Sequence, residues 1–321
     1  MTGLVAKPGL FRLLLAFAVV ASHVSAFEVG RIAVLIFFFL SGFWVTRLWE
    51  TRYAPGRLQL FYGSRWFRIW PLYIICTVAA ALVAGQALRP VDFALLGVAT
   101  HHNDPLFVAW SLDIELQFYL VLPLLAWLLA KPWKTSVSLM IAAVTLAGWL
   151  AFWRFGIVTI AQYLPAFALG MLACIYDWKP SQRAAYISLG AFLAFTAAAY
   201  ALPATQSFLF KDVPDPFHRD IFSFLWMLPI LPYVGRSLTL PSGEIDRHLG
   251  NLSYPLYLVH APIVIGLQQA LGGSPVVKLT GIAIACLVAL LVYALLDRRI
   301  DAVRQRIFEP RRAKARAAQT T

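Results

Sequence analysis

Arg12 and His23 are the side chains best able to do chemistry in the first apolar stretch, "FRLLLAFAVVASHVSAF" (residues 11–27). They lie eleven residues apart. In a helix that spacing advances about 16 Å and returns to within roughly 20° of its starting direction. Both side chains therefore share one face at two depths. A histidine so placed can take a proton from a hydroxyl. An arginine can grip an anion through charge-assisted hydrogen bonds. The plainer alternatives are a snorkelling arginine at the cytoplasmic surface and a histidine satisfied by a neighbouring helix. An ionisable residue inside a membrane span costs about 2.5–3.5 kcal/mol on insertion scales, which makes function the default reading.

Similar residues recur along the chain. "FYGSRWFRIWPLY" (residues 61–73) sets Arg65 and Arg68 one turn apart, suited to a phosphate or, more plainly, to positive-inside topology. "WSLDIELQFYLVLP" (residues 110–123) carries Glu115. Entering from the outer side, that carboxylate lies some 8 Å deep, close to the depth expected for His23. A carboxylate beside an imidazole orients it and raises its basicity. Asp113 points elsewhere and is expected to be a solvated or capping residue. "LGNLSYPLYLVHAPI" (residues 249–263) places Tyr254, Tyr257 and His260 three apart, so they drift slowly round one face. Tyr254 suits an interfacial belt, and His260 lies too deep for one. Ser41 and Gly42 fall at mid-membrane, where small residues mostly permit close helix packing. His101, His102 and Asp104 sit in an outer loop, as loop residues or part of an acceptor mouth.

These groups must be positioned by membrane helices. The chain has 321 residues, of which 60% are hydrophobic, against about 45–50% for soluble domains. The expected fold is all-α: a polytopic membrane protein of about ten transmembrane helices. The spans run over residues 8–28, 31–49, 66–85, 110–130, 134–153, 157–176, 183–202, 219–240, 250–270 and 276–298. Residues 91–100 are apolar but short, a re-entrant or interfacial piece. The first stretch lacks a small-residue cleavage site and is read as a retained helix.

With the N-terminus inside, the outer segments hold Arg31, Arg89, Arg154, Lys211, Arg219 and Lys278, and every other basic residue falls inside. Both termini are therefore expected in the cytoplasm. The formal charge of +12 fits that bias and does not call for nucleic acid. Residues 1–300 form the expected membrane domain and 301–321 a basic cytoplasmic tail, a frayed helix on anionic lipid. Cys76, Cys174 and Cys286 have no metal-ligand spacing, and no metal is expected. G-x-S-x-G, P-loop, Gly-rich dinucleotide and H-E-x-x-H patterns are absent.

Five segments together resemble the acyltransferase-3 family of integral membrane acyltransferases. They are Arg-x10-His (Arg12, His23), V-x-x-F-F-x-x-S-G-F (Val34 to Phe43) and F-x3-R-x2-R-I-x-P-x-Y (Phe61 to Tyr73). W-S-L-x-x-E-x-x-F-Y-x3-P (Trp110 to Pro123) and S-Y-x-x-Y-L-x-H-x-P (Ser253 to Pro262) complete the set. Leu35 departs from the pattern, since many members carry a polar residue there. The chain looks like the short, exopolysaccharide-modifying branch, without an appended hydrolase-like domain.

The resemblance implies acetyl-CoA, or another acyl-CoA, as co-substrate and a sugar hydroxyl as acceptor. His23 and Glu115 would be catalytic, and Arg12, Arg65 and Arg68 would bind the donor. Ser41, Trp110, Tyr119, Tyr254, Tyr257 and His260 would bind substrate or support the site. The expected location is the bacterial cytoplasmic (inner) membrane. The acceptor would be a saccharide, free or polyprenyl-linked, with membrane lipid as the other partner and a homodimer left open. Succinyl or longer acyl groups and small-molecule acceptors remain alternatives. So does a transporter or flippase for a lipid-linked sugar, which also suits intramembrane Arg, His and Glu.

Overall fold

The computed structural model describes residues 5–54, 56–101, 104–129, 134–211 and 215–308. All regular structure among them is helical. The first helices are α1 (Pro8–Val24), α2 (Val29–Leu48) and α3 (Leu58–Ala84), with a π-helical turn Trp49–Tyr53 closing α2. Two short helices come next, α4 (Pro90–Ala94) and α5 (Val98–His101). After them stand α6 (Ala109–Leu129), α7 (Lys134–Phe155), α8 (Ile160–Ile175), α9 (Gln182–Ala201) and α10 (Pro203–Leu209). Then α11 (Pro216–Met227) and α12 (Leu231–Thr239) are joined by a 3-10 turn. The chain continues with α13 (Glu244–Leu271), α14 (Pro275–Val292), a π-helical turn Tyr293–Asp297, and α15 (Arg298–Phe308).

Local chemistry sets several of these boundaries. Gly85 ends α3 in the left-handed region at φ 64°, and its N–H donates back to the last turn. Ser181 and Ser274 cap α9 and α14 by accepting from Ala184 N–H and Val277 N–H.

Seven stretches are long and apolar enough to cross a membrane: Val29–Tyr53, Leu58–Ala84, Ala109–Leu129, Ser136–Phe155, Gln182–Ala201, Pro216–Thr239 and Pro275–Phe308. The protein is a multi-pass membrane protein, all-helical in its regular structure among the described residues. Each of the other expected spans also coincides with a helix. However, α1 and α8 have only 17 and 16 residues, and α13 is long but more polar. The stretch 91–100 is not a span. It forms parts of α4 and α5, separated by Leu95 and Gly97 at φ 52° and 88°.

The chain divides into two compact units, residues 1–44 with 163–257 and residues 45–162 with 258–321. In the first unit α2 and α8 cross closely. A Cβ on Gly42 would lie 2.2 Å from the Phe167 carbonyl oxygen, and one on Gly170 would lie 2.0 Å from that of Phe39. The Phe38 and Phe167 rings stack beside the crossing with centroids 4.6 Å apart. A buried ion pair also ties this unit, Arg31 Nη1 to Asp220 Oδ1 at 2.5 Å. Tyr163 Oη–H donates to the other Asp220 oxygen at 3.0 Å.

In the second unit α15 packs on α3. The Phe308 ring lies over Gly63, where a Cβ would come within 2.3 Å of it. The Phe67 ring sits 5.9 Å from that of Phe308. Residues 298–308 are therefore a helix packed on α3 and not the frayed one expected. Residues 309–321 of the expected tail lie outside the described residues.

Asp113 also differs from expectation. It is fully buried and accepts from Ala99 N–H at 2.9 Å and Gln117 Nε2 at 2.8 Å. Its capping role is real, and its solvation is not.

The α2–α8 crossing makes a prediction. Gly170→Val should destabilise the protein by about 1–3 kcal/mol, because a backbone carbonyl cannot yield as a side chain can. Thermal unfolding in detergent and the monodisperse fraction on size-exclusion chromatography should both fall.

Candidate functional site

The first unit positions Arg12 and His23 through the two ends of α1. An α-helix leaves its first four N–H groups without internal partners. Lys7, at the start of α1, makes no side-chain cap. The partners come instead from the first turn of α13. Asp246 Oδ2 accepts from Gly9 N–H at 3.0 Å and Oδ1 from Leu10 N–H at 2.9 Å. Ser242 Oγ–H donates to the same carboxylate at 2.5 Å. The approach needs glycine, since a Cβ on Gly9 would lie 1.7 Å from the Asp246 carbonyl oxygen. Just before the helix, Tyr233 Oη accepts from Ala6 N–H at 3.0 Å, and Ser237 Oγ–H donates to Ala6 O at 2.7 Å.

This docking sets Arg12 beside Gly250 of α13, where an added Cβ would lie 3.7 Å from Arg12 Nη1. At the other end, Lys211 Nζ donates to the Ser22 and Ser25 carbonyl oxygens. A cation there also complements the helix dipole. His23 sits half-buried in this last turn.

Within the same unit, Ser41 is buried on α2 next to the Gly42 crossing. Tyr257 is buried on α13 with its ring edge-on to Phe37 at 6.3 Å. Tyr254 is half-buried three residues before it.

The second unit brings together Arg65, Arg68, Glu115 and Tyr119. Tyr119 Oη–H donates to Glu115 Oε1 at 2.6 Å, one turn along α6. The Tyr119 ring lies under the Arg65 guanidinium, 5.9 Å from its carbon to the ring centroid. Tyr62 Oη–H donates to Leu120 O at 3.1 Å and ties α3 to α6 here. Arg68 Nη1 pairs with Asp297 Oδ1 at 3.0 Å. Trp110 opens α6, half-buried, and His260 on α13 is wholly buried. Asp104 Oδ1 and Oδ2 accept from Leu106 N–H and Ala109 N–H at 2.8 and 2.5 Å, so Asp104 caps α6. His101 ends α5, and His102 lies outside the described residues.

Glu115 lies in one unit and His23 in the other. Motif and spacing do not single out several residues of this geometry: Asp246, Lys211, Ser64, Asp297, Asp301, Arg304 and Tyr53. Asp297 does carry a readable signal, a carboxylate at the end of the very apolar run "ACLVALLVYALLD". Asp301 and Arg304 stand beyond it at helical spacing. Among the described residues, no group of three or more His, Cys, Asp or Glu is placed to hold a metal ion.

A multi-pass helical membrane protein with arginines gathered at buried carboxylates is the class that fold and geometry define. The chain belongs to the acyltransferase-3 family: the family model for an acyltransferase domain matches residues 6–298. Nodulation protein 10 of Rhizobium leguminosarum bv. viciae is similar, 28% identical over 275 residues that cover 73% of this chain and 73% of the relative. No solved structure matches the chain.

Asp246 generates a prediction. Burial alone would raise its carboxyl, but bonds from Ser242, Leu10 and Gly9 outweigh that and hold it below its ordinary value. A depressed carboxyl stabilises the fold above its unfolded value of about 3.9 and loses that contribution as pH falls through the folded value. Asp246→Asn should therefore destabilise the docking of α1 by about 1.5–3 kcal/mol at neutral pH. It should also flatten the loss of thermal stability seen below about pH 4, measured by melting the wild type and variant across pH.

Proposed function

We propose that this family member transfers an acyl group, acetyl in the first instance, from cytoplasmic acyl-CoA to a sugar hydroxyl of a surface glycan such as exopolysaccharide. The proposed setting is the bacterial inner membrane, with about ten spans and both termini in the cytoplasm. The observation that carries this reading is the Arg65–Tyr119–Glu115 chain. It joins a phosphate-seeking guanidinium to an intramembrane carboxylate through one ring and one hydrogen bond.

Roles are assigned residue by residue. Arg65, Arg68 and Arg12 hold the phosphates of the donor. His23 takes the proton of the acceptor hydroxyl as its oxygen attacks the thioester carbonyl. The carbon–oxygen bond forms, the carbon–sulfur bond breaks, and the CoA thiolate leaves to collect the proton. Glu115 is the proposed catalytic carboxylate, and Tyr119 fixes the orientation of that carboxylate. Ser41, Trp110, Tyr254, Tyr257 and His260 support the substrates. A saccharide carried on a polyprenyl lipid is the favoured acceptor, since both reactants then meet at the membrane.

Purified protein in lipid nanodiscs, given acetyl-CoA and polyprenyl-linked oligosaccharides, should release free CoA only when the acceptor is present. His23→Ala should lower that rate by about 10²–10⁴-fold, the usual contribution of a general base, with CoA affinity retained. Wild-type turnover by the variant would remove His23 from the chemistry. Absence of CoA release in the wild type, together with absence of CoA binding, would sink the donor assignment.

A further inference from the structure

The arginines of the second unit do not end with Arg65 and Arg68. Arg304 of α15 is buried and donates from Nη1 to Ser64 Oγ at 2.9 Å. Arg65 Nη2 lies 3.4 Å from the same oxygen. Two guanidiniums thus meet at one hydroxyl, and like charges that close in a poorly hydrated setting call for a counter-charge. The carboxylates at hand serve Arg68 and Arg304, and among the described residues none pairs with Arg65. Asp297 pairs with Arg68 at 3.0 Å, and Asp301 pairs with Arg304 at 2.7 Å. Gln305 Nε2 takes the second Asp301 oxygen at 2.6 Å. Arg65 has no ion pair among the described residues, and its buried Nε has no hydrogen-bond partner there.

A second observation points the same way. Tyr53, in the π-helical turn after α2, is 2% exposed, and its hydroxyl has no hydrogen-bond partner among the described residues. Its ring packs edge-on to Phe61 at 5.7 Å, one turn before Arg65 on α3. Tyr53 is within electrostatic reach of Arg65. A buried hydroxyl without a partner costs about 1–3 kcal/mol. The Arg65 guanidinium, within its electrostatic reach, also has a donor to spare. Two unused donors and an excess of positive charge suit an anion with several acceptor oxygens.

We propose that Arg304 and Tyr53 complete, with Arg65, a phosphate-binding site built on Ser64. The inference rests on the acyl-CoA reading for the source of the phosphate, and an anionic lipid headgroup would supply the same chemistry. It makes α15 part of the binding machinery, held by Phe308 on Gly63 and Phe67. Arg68 is the less available cation, since Asp297 already holds it. Asp297 and Asp301 act as fixed counter-ions that keep two guanidiniums oriented when the site is empty.

The test uses full-length protein in nanodiscs of phosphatidylcholine, with CoA and inorganic pyrophosphate as calorimetric probes. A parallel set contains phosphatidylglycerol, and retained lipid is read by native mass spectrometry. Arg304→Gln and Tyr53→Phe are compared with wild type, and each is melted to check its fold. Both should bind CoA and pyrophosphate at least about 10-fold more weakly, the loss expected for one strong hydrogen bond to an anion. Tyr53→Phe should melt at the wild-type temperature or above, since it deletes an unsatisfied hydroxyl. A purely structural tyrosine would not combine those two results.

Loss of phosphatidylglycerol retention with CoA binding unchanged would keep the phosphate site and assign it to a headgroup, against the donor reading. Pyrophosphate binding without CoA binding in wild type, weakened in the variants, would do the same. Unchanged affinity for all three probes in the variants overturns the proposal. Should Arg304→Gln fail to fold, Tyr53→Phe decides alone.

Discussion

The carboxylate of Asp246 is the contact on which the placement of α1 depends. A helix that begins at a proline with no capping side chain would leave its first amides exposed to an apolar surrounding. Asp246 reaches them from 236 and 237 residues away in sequence. Its negative charge also matches the positive end of the helix dipole. At the far end a lysine bonds the last carbonyls. The helix is thus fixed by complementary charges at both ends, and its two ionisable residues inherit their depths from that fixation. Packing alone would allow α1 to slide by a turn. Directed hydrogen bonds at each end do not.

A different logic holds the second unit. Buried ion pairs seldom add net stability, because desolvation offsets the attraction. Their value here is orientation. Asp297 and Asp301 lie one turn apart where α14 passes through a π-helical turn into α15. They face arginines on α3 and on their own helix, so α15 and the beginning of α3 are locked in one arrangement. The inserted residue of a π-helical turn rotates the next stretch of helix, and such turns concentrate at functional sites.

Helical periodicity carries much of this arrangement in the sequence. Arg12 with His23, and Arg65 with Arg68, can be paired because their spacing is local and the period of 3.6 residues is known. Glu115 and Tyr119 form one such pair, and their hydrogen bond reflects their spacing of four. Asp246 and Arg304 are not legible in this way. Their partners, Gly9 and Ser64, stand 237 and 240 residues away. Nothing in composition or period links residues so far apart. The burial of Asp113 escapes the sequence for a related reason, since the backbone it caps belongs to a short helix that apolarity alone cannot define. By their charge residues 298–308 look like the start of a frayed helix on anionic lipid, and the contact that packs them is the Phe308 ring on a glycine of α3. Apolarity also locates helices at the expected spans, but it does not measure their lengths.

Those lengths bear on the bilayer itself. With 17 and 16 residues, α1 and α8 are shorter than any of the seven stretches long enough to cross a membrane. Such helices extend only about 25 Å, against a hydrocarbon core of about 30 Å. Yet α8 has no exposed residue, so protein rather than lipid surrounds it. A short helix inside a bundle does not have to match the bilayer, because neighbouring chain closes over its ends. The amides and carbonyls at the two ends of α1 are met in that way, by Asp246 and Lys211. Where those two side chains stand, and not the hydrocarbon thickness, is then the ruler for this helix.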